Sequence, residues 1–266
     1  MIDLHSHLLP GIDDGAASLE EALEMCRMAA EDGCTALIAT PHLRHEYWLN
    51  DDRDALEALW REVREAAADY LEVFLGGEIA INSDSASELD QLPNGSLLPL
   101  AGSRYLLLEL NPPGFGPDPL DLIHELSVGG WYPVIAHPER FRWLAGDRRF
   151  LHDLIDHGAL MQITAMSVTG EAARWVRDCA FQLLDDGAVH FIASDCHNTR
   201  IRPPGLSRAY RQIASTRGEA VARELMVENP RAVLENRPIG RAAERPISTG
   251  GPKRIDAPSA SSSRPW

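Results

Sequence analysis

The sequence predicts an α/β fold: one domain whose parallel strands close into a seven-stranded barrel. Short apolar runs alternate with amphipathic helical patterns along most of the chain, and such alternation builds right-handed βαβ units on a parallel sheet. Seven such runs in one domain favour a closed barrel over an open sheet. No Gly-rich phosphate loop follows the first run, and the "GG" at 76–77 lacks the GxGxxG spacing. That counts against an open nucleotide-binding sheet.

Taken in order, "MIDLH" is the first strand. "SLEEALEMCRMAAEDG" is a helix, with Ser18 and Glu21 in capping-box spacing, an apolar stripe of Leu19, Ala22, Leu23, Cys26 and Ala30, and Gly33 at its end. "CTALIAT" is the second strand, and a helix follows from about Asp52 to Asp69. "LEVFLGGE", "RYLLLEL", "YPVIAH", "ALMQITA" and "AVHFIASD" are strands three to seven. Helical patterns at 118–128, 147–157 and 170–186 separate the later ones. Residues 1–237 form the expected domain. Residues 238–266, rich in Gly, Pro, Ser and Arg, hold too few large apolar groups to offset their ordering entropy and read as a disordered tail.

The chain has 266 residues, of which 44% are hydrophobic, enough for a sizeable core. Its net charge of −15 disfavours nucleic acid as a partner. A small phosphate ester stays admissible, because bound cations invert a local potential. Cys26, Cys34, Cys179 and Cys196 form no CxxC pair and read as buried thiols of a reducing compartment. The first residues lack the basic region and apolar core of a secretory leader, and no apolar run reaches membrane-spanning length. A cytoplasmic protein without direct membrane insertion is the expectation.

Function is carried by where the polar residues fall. Strand one ends in His5 and His7, strand two in His42, strand three in Glu78, strand four in Glu109, strand five in His137, and strand seven in Asp195 and His197. A parallel barrel gathers all strand C-termini on one rim. Residues i and i+2 of a strand share a side, so the HxH pair can chelate one ion. Imidazole and carboxylate without thiolate suit a hydrolytic Mn²⁺, Fe²⁺ or Zn²⁺ centre better than a structural zinc. With Asp14 the candidates exceed the needs of one ion, and a cluster of two or three cations clamps phosphoryl oxygens. His45, His124, His152, His157 and His190 lack strand-end placement, although His45 shares the rim loop of His42.

"DLHSHLLPGIDDG", "TPH", "GGE", "LLLEL", "VIAHPER" and "IASDCHN" resemble the polymerase-and-histidinol-phosphatase (PHP) family of metal-dependent phosphoesterases. "GIDDGAASLEEA", "AHPERF" and "SDCHNTRIRPP" are closer still to its bacterial manganese-dependent protein tyrosine phosphatases of capsule and exopolysaccharide clusters. The resemblance spans about residues 1–236 and implies a distorted (β/α)7 barrel with a trinuclear site. By motif it implies a first metal on His5, His7, Glu78 and Asp195. A second falls on His42 and His137 with Glu78 bridging, and a third group comprises Asp14, Glu109 and His197. Asp13 fits an outer position. Arg140 of "HPER" and Arg202 before "PP" resemble phosphate clamps, with Arg200 as a competitor for the latter role.

The implied cofactor is Mn²⁺, two or three ions, with Fe, Co, Zn or Mg compatible. The implied reaction is metal-hydroxide attack on the phosphorus of a phosphotyrosine protein, a bacterial tyrosine kinase of polysaccharide export being the expected partner. Arg140, Arg202 and Asp14 are the expected catalytic groups. Arg44 and Trp48 are expected to join the two arginines in binding substrate, with His45 and Tyr47 lining the mouth. By strand alternation Cys196 points away from Asp195 and His197 and is not a nucleophile. The alternatives are a phosphatase of a small ester such as histidinol phosphate, and a non-catalytic metal-dependent binding module. Oligomeric state is left open by the sequence.

Overall fold

The computed structural model describes residues 1–240 except 83–87, 90–91, 93–94 and 113–115. The stretch 241–266, most of the expected tail, lies outside the described residues. The strands are β1 (Ile2–Ser6), β2 (Ala36–Ala39), β3 (His42–Leu43), β4 (Glu72–Leu75), β5 (Glu78–Ile81), β6 (Tyr105–Leu110), β7 (Tyr132–Ala136), β8 (Leu160–Thr164) and β9 (Phe191–Ala193). All pairings are parallel: β1–β2–β4 in one sheet and β3–β5–β6–β7–β8–β9 in the other. The ring closes where Ser6 bridges to Cys196. There the Asp195 N–H donates to the His5 carbonyl (2.9 Å) and the His7 N–H to the Cys196 carbonyl (2.8 Å). The result is the expected α/β barrel of seven strand positions.

Nine segments fill those positions because strands two and three are each broken. Pro41, which has no N–H to give a ladder, separates β2 from β3. Gly76 and Gly77 separate β4 from β5; a Cβ on Gly77 would meet Leu43 Cδ1 at 2.2 Å, so a larger residue there would displace the buried Leu43 side chain. The pieces stay in step, since the Gly76 N–H donates to the Ala39 carbonyl (2.8 Å) and the Glu78 N–H to the Pro41 carbonyl (3.0 Å). Glu78 is therefore the first residue of β5 rather than the last of strand three, and it faces His42 in register.

β1 hides a second irregularity. Its register against β2 slips between Asp3 and Ser6. Ile2 and Leu4 pack inside the barrel with Ile38, Leu107, Val134 and Phe191. Regular alternation would then turn His5 and His7 outward; the bulge reverses the facing so that they also point in. Asp3 fixes the bulge: its buried Oδ1 accepts from the His5 N–H (3.4 Å) and the Ser194 N–H (3.0 Å).

The helices form the outer layer. α1 (Leu19–Glu31) starts at Ser18, whose hydroxyl accepts from the Glu21 N–H, while the Glu21 carboxylate returns to the Ala17 N–H. α2 (Arg53–Ala67), α3 (Pro119–Val128), α4 (Arg142–Ala145) and α5 (Arg148–His157) follow; a short α6 (Ala165–Thr169), not expected from the sequence, precedes α7 (Arg174–Asp185), which is the expected 170–186 helix. Helix residues such as Met25, Val63, Ile123 and Leu183 pack on the outward strand residues Leu37, Ile79, Leu108 and Ile163. Past residue 197, where the sequence assigned no helix, lie α8 (Ser207–Arg217), α9 (Glu219–Arg223), a π-helical turn (Glu224–Glu228) and α10 (Asn229–Leu234). Ala232, Val233 and Ile239 join the interior cluster that includes Ile2, Tyr105 and Phe191. Packing thus extends beyond residue 237, because Ile239 has apolar area to bury. No helix among the described residues is long and apolar enough to cross a membrane.

Candidate metal centre

The inward column of several strands ends in a ligand-type side chain at the same rim. Leu107 is followed inward by Glu109 on β6, and Ala193 by Asp195 just past β9. His42 and Glu78 open β3 and β5. His137 follows β7 in the left-handed region (φ 34, ψ 50), and Asp195 also has positive φ (55). For residues with a Cβ that backbone is costly, and it survives where the surroundings over-determine it.

All nine predicted ligand residues come together. Their ligand atoms form four overlapping groups, each with its atoms within 4.8 Å of one another: His5–His7–Glu78, His5–His137–Asp195, His42–Glu78–Glu109, and His7–Asp14–His42–His197. The grouping differs from the partition the motifs implied. His137 lies with His5 and Asp195 rather than with His42. Glu109 lies with His42 and Glu78 rather than with Asp14 and His197. The broken third strand explains part of this, because it sets Glu78 level with His42 and Glu109's neighbour Leu107 level with Glu78.

Glu78 is the hub. Its Oε2 lies 3.4 Å from His5 Nε2, 3.3 Å from His7 Nε2 and 3.0 Å from His42 Nδ1, while Oε1 is 2.7 Å from His137 Nε2. Burial would raise its carboxyl, but His5, His137 and His42 hold it well below the carboxylate range. Burial acts likewise on Asp195, and His5, His7 and Arg202 likewise override it. Glu109 is pushed up by burial and by the charge of Glu78. Burial would lower His42, yet Asp14 and Glu78 lift it to about 9; His7 rises well above its usual value chiefly through Asp13. Buried anions here are stabilised by imidazoles that take up protons, the arrangement a divalent cation replaces with release of those protons. Glu78 Oε2, Asp195 Oδ1 and His42 Nδ1 are buried without a hydrogen-bond partner. Orphaned nitrogen and oxygen donors facing one another fit hard or borderline divalent cations.

An outer layer orients the imidazoles. Asp13 Oδ2 accepts from His7 Nδ1 (2.9 Å) and from the His42 N–H (3.1 Å), and its Oδ1 accepts from the Gly15 N–H (2.9 Å). Gly15 is obligatory, since a Cβ there would sit 2.1 Å from the His7 carbonyl oxygen. Gln162 serves His5. Its Nε2 donates to the Ile163 carbonyl (2.9 Å), which leaves Oε1 to accept from His5 Nδ1 (2.9 Å). With both Nδ1 atoms so engaged, His5 and His7 present Nε2 atoms 3.2 Å apart to the centre. Sequence reasoning missed Gln162. The available signal was an amide residue in the middle of the otherwise mostly apolar strand "LMQIT". Glu139 was missed too: fully buried, its Oε1 accepts from the Thr164 N–H and hydroxyl and from the Ser167 hydroxyl, tying the "HPER" turn to β8.

Two of the predicted arginines border the centre. Arg140 and Arg202 both donate to Asp195 Oδ2, and Arg202 Nη1 also donates to His197 Nε2 (2.8 Å). Their side chains remain 39% and 24% exposed, within reach of a ligand. Arg200 is exposed and contributes its backbone N–H, with those of Ile201 and Arg202, to a turn on Asn198 Oδ1. Arg44 departs from expectation. Its guanidinium is held by Glu88, Asp51 and the Ser96 hydroxyl, so it offers no free cation to a substrate. Trp48 stacks on His42 (centroids 5.2 Å, planes 7° apart), so one indole face positions an imidazole. Cys196 is fully buried in the core, and burial pushes its thiol well up, as expected of an inert cysteine.

With that geometry in place, comparison with known proteins is direct. The family model for capsular polysaccharide synthesis, CpsB/CapC, matches residues 1–235. The chain belongs to the CpsB/CapC family. Within it, the tyrosine-protein phosphatase YwqE of Bacillus subtilis (strain 168) is 32% identical over 93% of this chain and 96% of its own length. The tyrosine-protein phosphatase CpsB of Streptococcus pneumoniae is 32% identical over 88% and 98%. A crystal structure from a study of those two proteins, described there as unique metal-dependent tyrosine phosphatases, superposes with a TM-score of 0.82. It is 29% identical and covers 97% of this chain and all of its own. The CpsB/CapC match thus takes in all nine ligand-type residues, Asp13, Gln162 and both rim arginines.

Proposed function

We propose that this chain is a metal-dependent protein tyrosine phosphatase of the cytoplasm, which removes phosphate from a tyrosine kinase controlling capsular or exopolysaccharide synthesis. One observation carries the reading. Asp195 turns Oδ1 toward His5 and His7 and gives Oδ2 to Arg140 and Arg202. A single carboxylate thereby joins the cation-binding side of the centre to two anion-binding side chains, as hydrolysis of a phosphate monoester requires. We assign His5, His7, Asp14, His42, Glu78, Glu109, His137, Asp195 and His197 as the ligands, with Mn²⁺ as the ion. Such ions, when bound, make hydroxide available near neutral pH and neutralise charge on the phosphoryl oxygens.

The chain's own residues do the rest. Arg140 and Arg202 exchange part of their contact with Asp195 for the non-bridging oxygens of the phosphoryl group. Asp14, 43% exposed, stands at the mouth between His42 and His197, and those two imidazoles hold its carboxyl low. It acts as a permanent anion there and not as an acid. Trp48 keeps the ring of His42 in place. Residues 1–237 are assigned as the catalytic domain, and the remainder as dispensable to the reaction.

The test is elemental analysis of the purified protein together with hydrolysis of a phosphotyrosine peptide, with and without chelator. Bound Mn²⁺ and chelator-sensitive release of phosphate are expected. A metal-loaded protein that cleaves histidinol phosphate but no phosphotyrosine peptide would overturn the substrate assignment.

A further inference from the structure

Glu139 lies between a ligand-type residue, His137, and a rim arginine, in the single turn Pro138–Arg140. A glutamate in a turn usually faces water, whereas this one is fully buried. Burying a carboxyl group is costly unless hydrogen bonds offset it. Three groups converge on its Oε1: the Thr164 N–H (2.9 Å), the Thr164 hydroxyl (3.1 Å) and the Ser167 hydroxyl (2.8 Å). The two hydroxyls also meet each other (2.6 Å). Thr164 closes β8 and Ser167 lies on α6, and both are buried. The turn that follows β7 is thereby clamped, from inside the protein, to the strand that pairs with β7.

The two ends of the turn depend on this clamp to different degrees. His137 has fastenings of its own: Nε2 lies 2.7 Å from Glu78 Oε1, and the ring packs against His5 (centroids 5.6 Å) and Phe141 (5.4 Å). Arg140 has fewer. Its N–H donates to the His137 carbonyl (2.9 Å), and its half-exposed side chain rests on Asp195, a partner it shares with Arg202. A phosphoryl group competes for that same guanidinium, so Asp195 does not hold it fully once substrate is bound. The backbone beneath Arg140 then sets its aim, and the Glu139 carboxylate is what fixes that backbone. β8 supplies none of the nine ligand-type residues, yet it serves the centre twice: Gln162 orients His5, and Thr164, two residues on, holds Glu139.

We propose that Glu139 is the positioning residue of Arg140: its buried carboxylate, gripped by Thr164 and Ser167, fixes the backbone from which the guanidinium reaches the phosphoryl oxygens. The inference rests on the phosphatase reading and adds a residue through which one of its arginines acts. Fully buried, Glu139 does not itself reach the substrate. An amide oxygen in the place of Oε1 serves as well, because the three hydrogen bonds need an acceptor and not a charge. Loss of the grip is costly, since a misplacement of about 1 Å in a positioned group lowers rate by up to roughly 10²-fold.

The experiment is a double-mutant cycle on the full chain loaded with Mn²⁺, with p-nitrophenyl phosphate as substrate. Glu139→Ala is expected to lower kcat/KM by roughly 30-fold and to weaken inhibition by inorganic phosphate by about tenfold, with bound Mn²⁺ per chain unchanged. In an Arg140→Ala background the same substitution should change kcat/KM by no more than about twofold, because the group it positions has gone. Glu139→Gln should bring kcat/KM back to within roughly threefold of the parent. Glu139→Ala leaves buried donors unpaired, so thermal unfolding of every variant is followed. Should it not fold, Ser167→Ala replaces it in the cycle, with an expected loss of about threefold that also vanishes without Arg140. Equal losses with and without Arg140, a Gln variant as poor as the Ala variant, or Mn²⁺ lost from Glu139→Ala would each overturn the positioning role and leave the phosphatase reading intact. A parent protein without aryl phosphate turnover would overturn that reading and the role together.

Discussion

Arg200 and Arg202 stand on one loop, and the backbone between them decides which can meet a phosphate. Asn198 Oδ1 gathers three successive N–H groups, and the turn so formed sends Arg202 back onto Asp195 and His197 while Arg200 stays in solvent. Arg202→Ala is therefore expected to lower kcat/KM on p-nitrophenyl phosphate by about 10²–10³-fold, the usual cost of removing a group aimed at transition-state charge. Arg200→Ala should change it by no more than roughly twofold. Steady-state kinetics of the two variants checks this, and an equal loss in both would remove the assignment of Arg202. Eight of the nine ligand-type residues were legible because each falls at or just past the end of an expected strand, and a parallel barrel brings strand ends together whatever lies between; Asp14 was legible only through the "DDG" of the loop after strand one. Gln162 and Glu139 were not legible. Gln162 acts through His5 and Glu139 through Thr164 and Ser167, partners distant in sequence, and no periodicity records such pairings. Arg44 misled because a cation beside a ligand-bearing strand looks the same in sequence whether it faces a substrate or Glu88.

At the scale of elements, the barrel's alternation was readable and its breaks were not. Pro41 and the Gly76–Gly77 pair were visible, but that they step the strands past one another depends on Leu43 and Leu100 crowding the crossing. The C-terminal helices escaped notice for a related reason. α8 begins at Leu206, which has no capping side chain of its own. The cap comes from Asp32 at the end of α1: one carboxylate oxygen accepts from the N–H groups of Leu206 (2.6 Å) and Ser207 (2.7 Å), and the other from the Ser207 hydroxyl (2.5 Å). A negative group at a helix N-terminus also suits the helix dipole. Asp32→Ala should cost about 1–2 kcal/mol of stability, in the range of a lost N-cap or charged hydrogen bond. Because α8 lies outside the centre, kcat/KM should be preserved. Urea denaturation gives the first quantity and an aryl phosphate assay the second; a stable variant with impaired turnover would contradict the role.

For the whole molecule, the centre sets a balance between folding and metal supply. The chain folds a hub of Glu78, Asp195 and Glu109 into its interior while carrying a net charge of −15. Glu78 and Asp195 are held ionised by neighbouring imidazoles and, for Asp195, by Arg140 and Arg202, whereas burial and the charge of Glu78 push Glu109 up; Glu78 Oε2 and Asp195 Oδ1 have no hydrogen-bond partner. Each such group costs free energy on burial that a cation recovers. The unfolded chain does not assemble these residues, so cation binding stabilises the folded state by RT ln(1 + [M]/Kd), about 4 kcal/mol when free metal exceeds Kd by a thousandfold. A chain of this size shifts Tm by roughly 2–4 °C per kcal/mol. Dialysis against chelator should therefore lower Tm by about 10 °C, and added Mn²⁺ should restore it in a concentration-dependent manner. Glu78→Gln removes the charge shared by two of the ligand groups, and its Tm should respond far less to Mn²⁺ than that of the parent. Calorimetric scans of both proteins across a Mn²⁺ series measure this. A parent Tm indifferent to chelator and to Mn²⁺ would show that the cluster is stable on its own protons and arginines, and that it was not built around a cation.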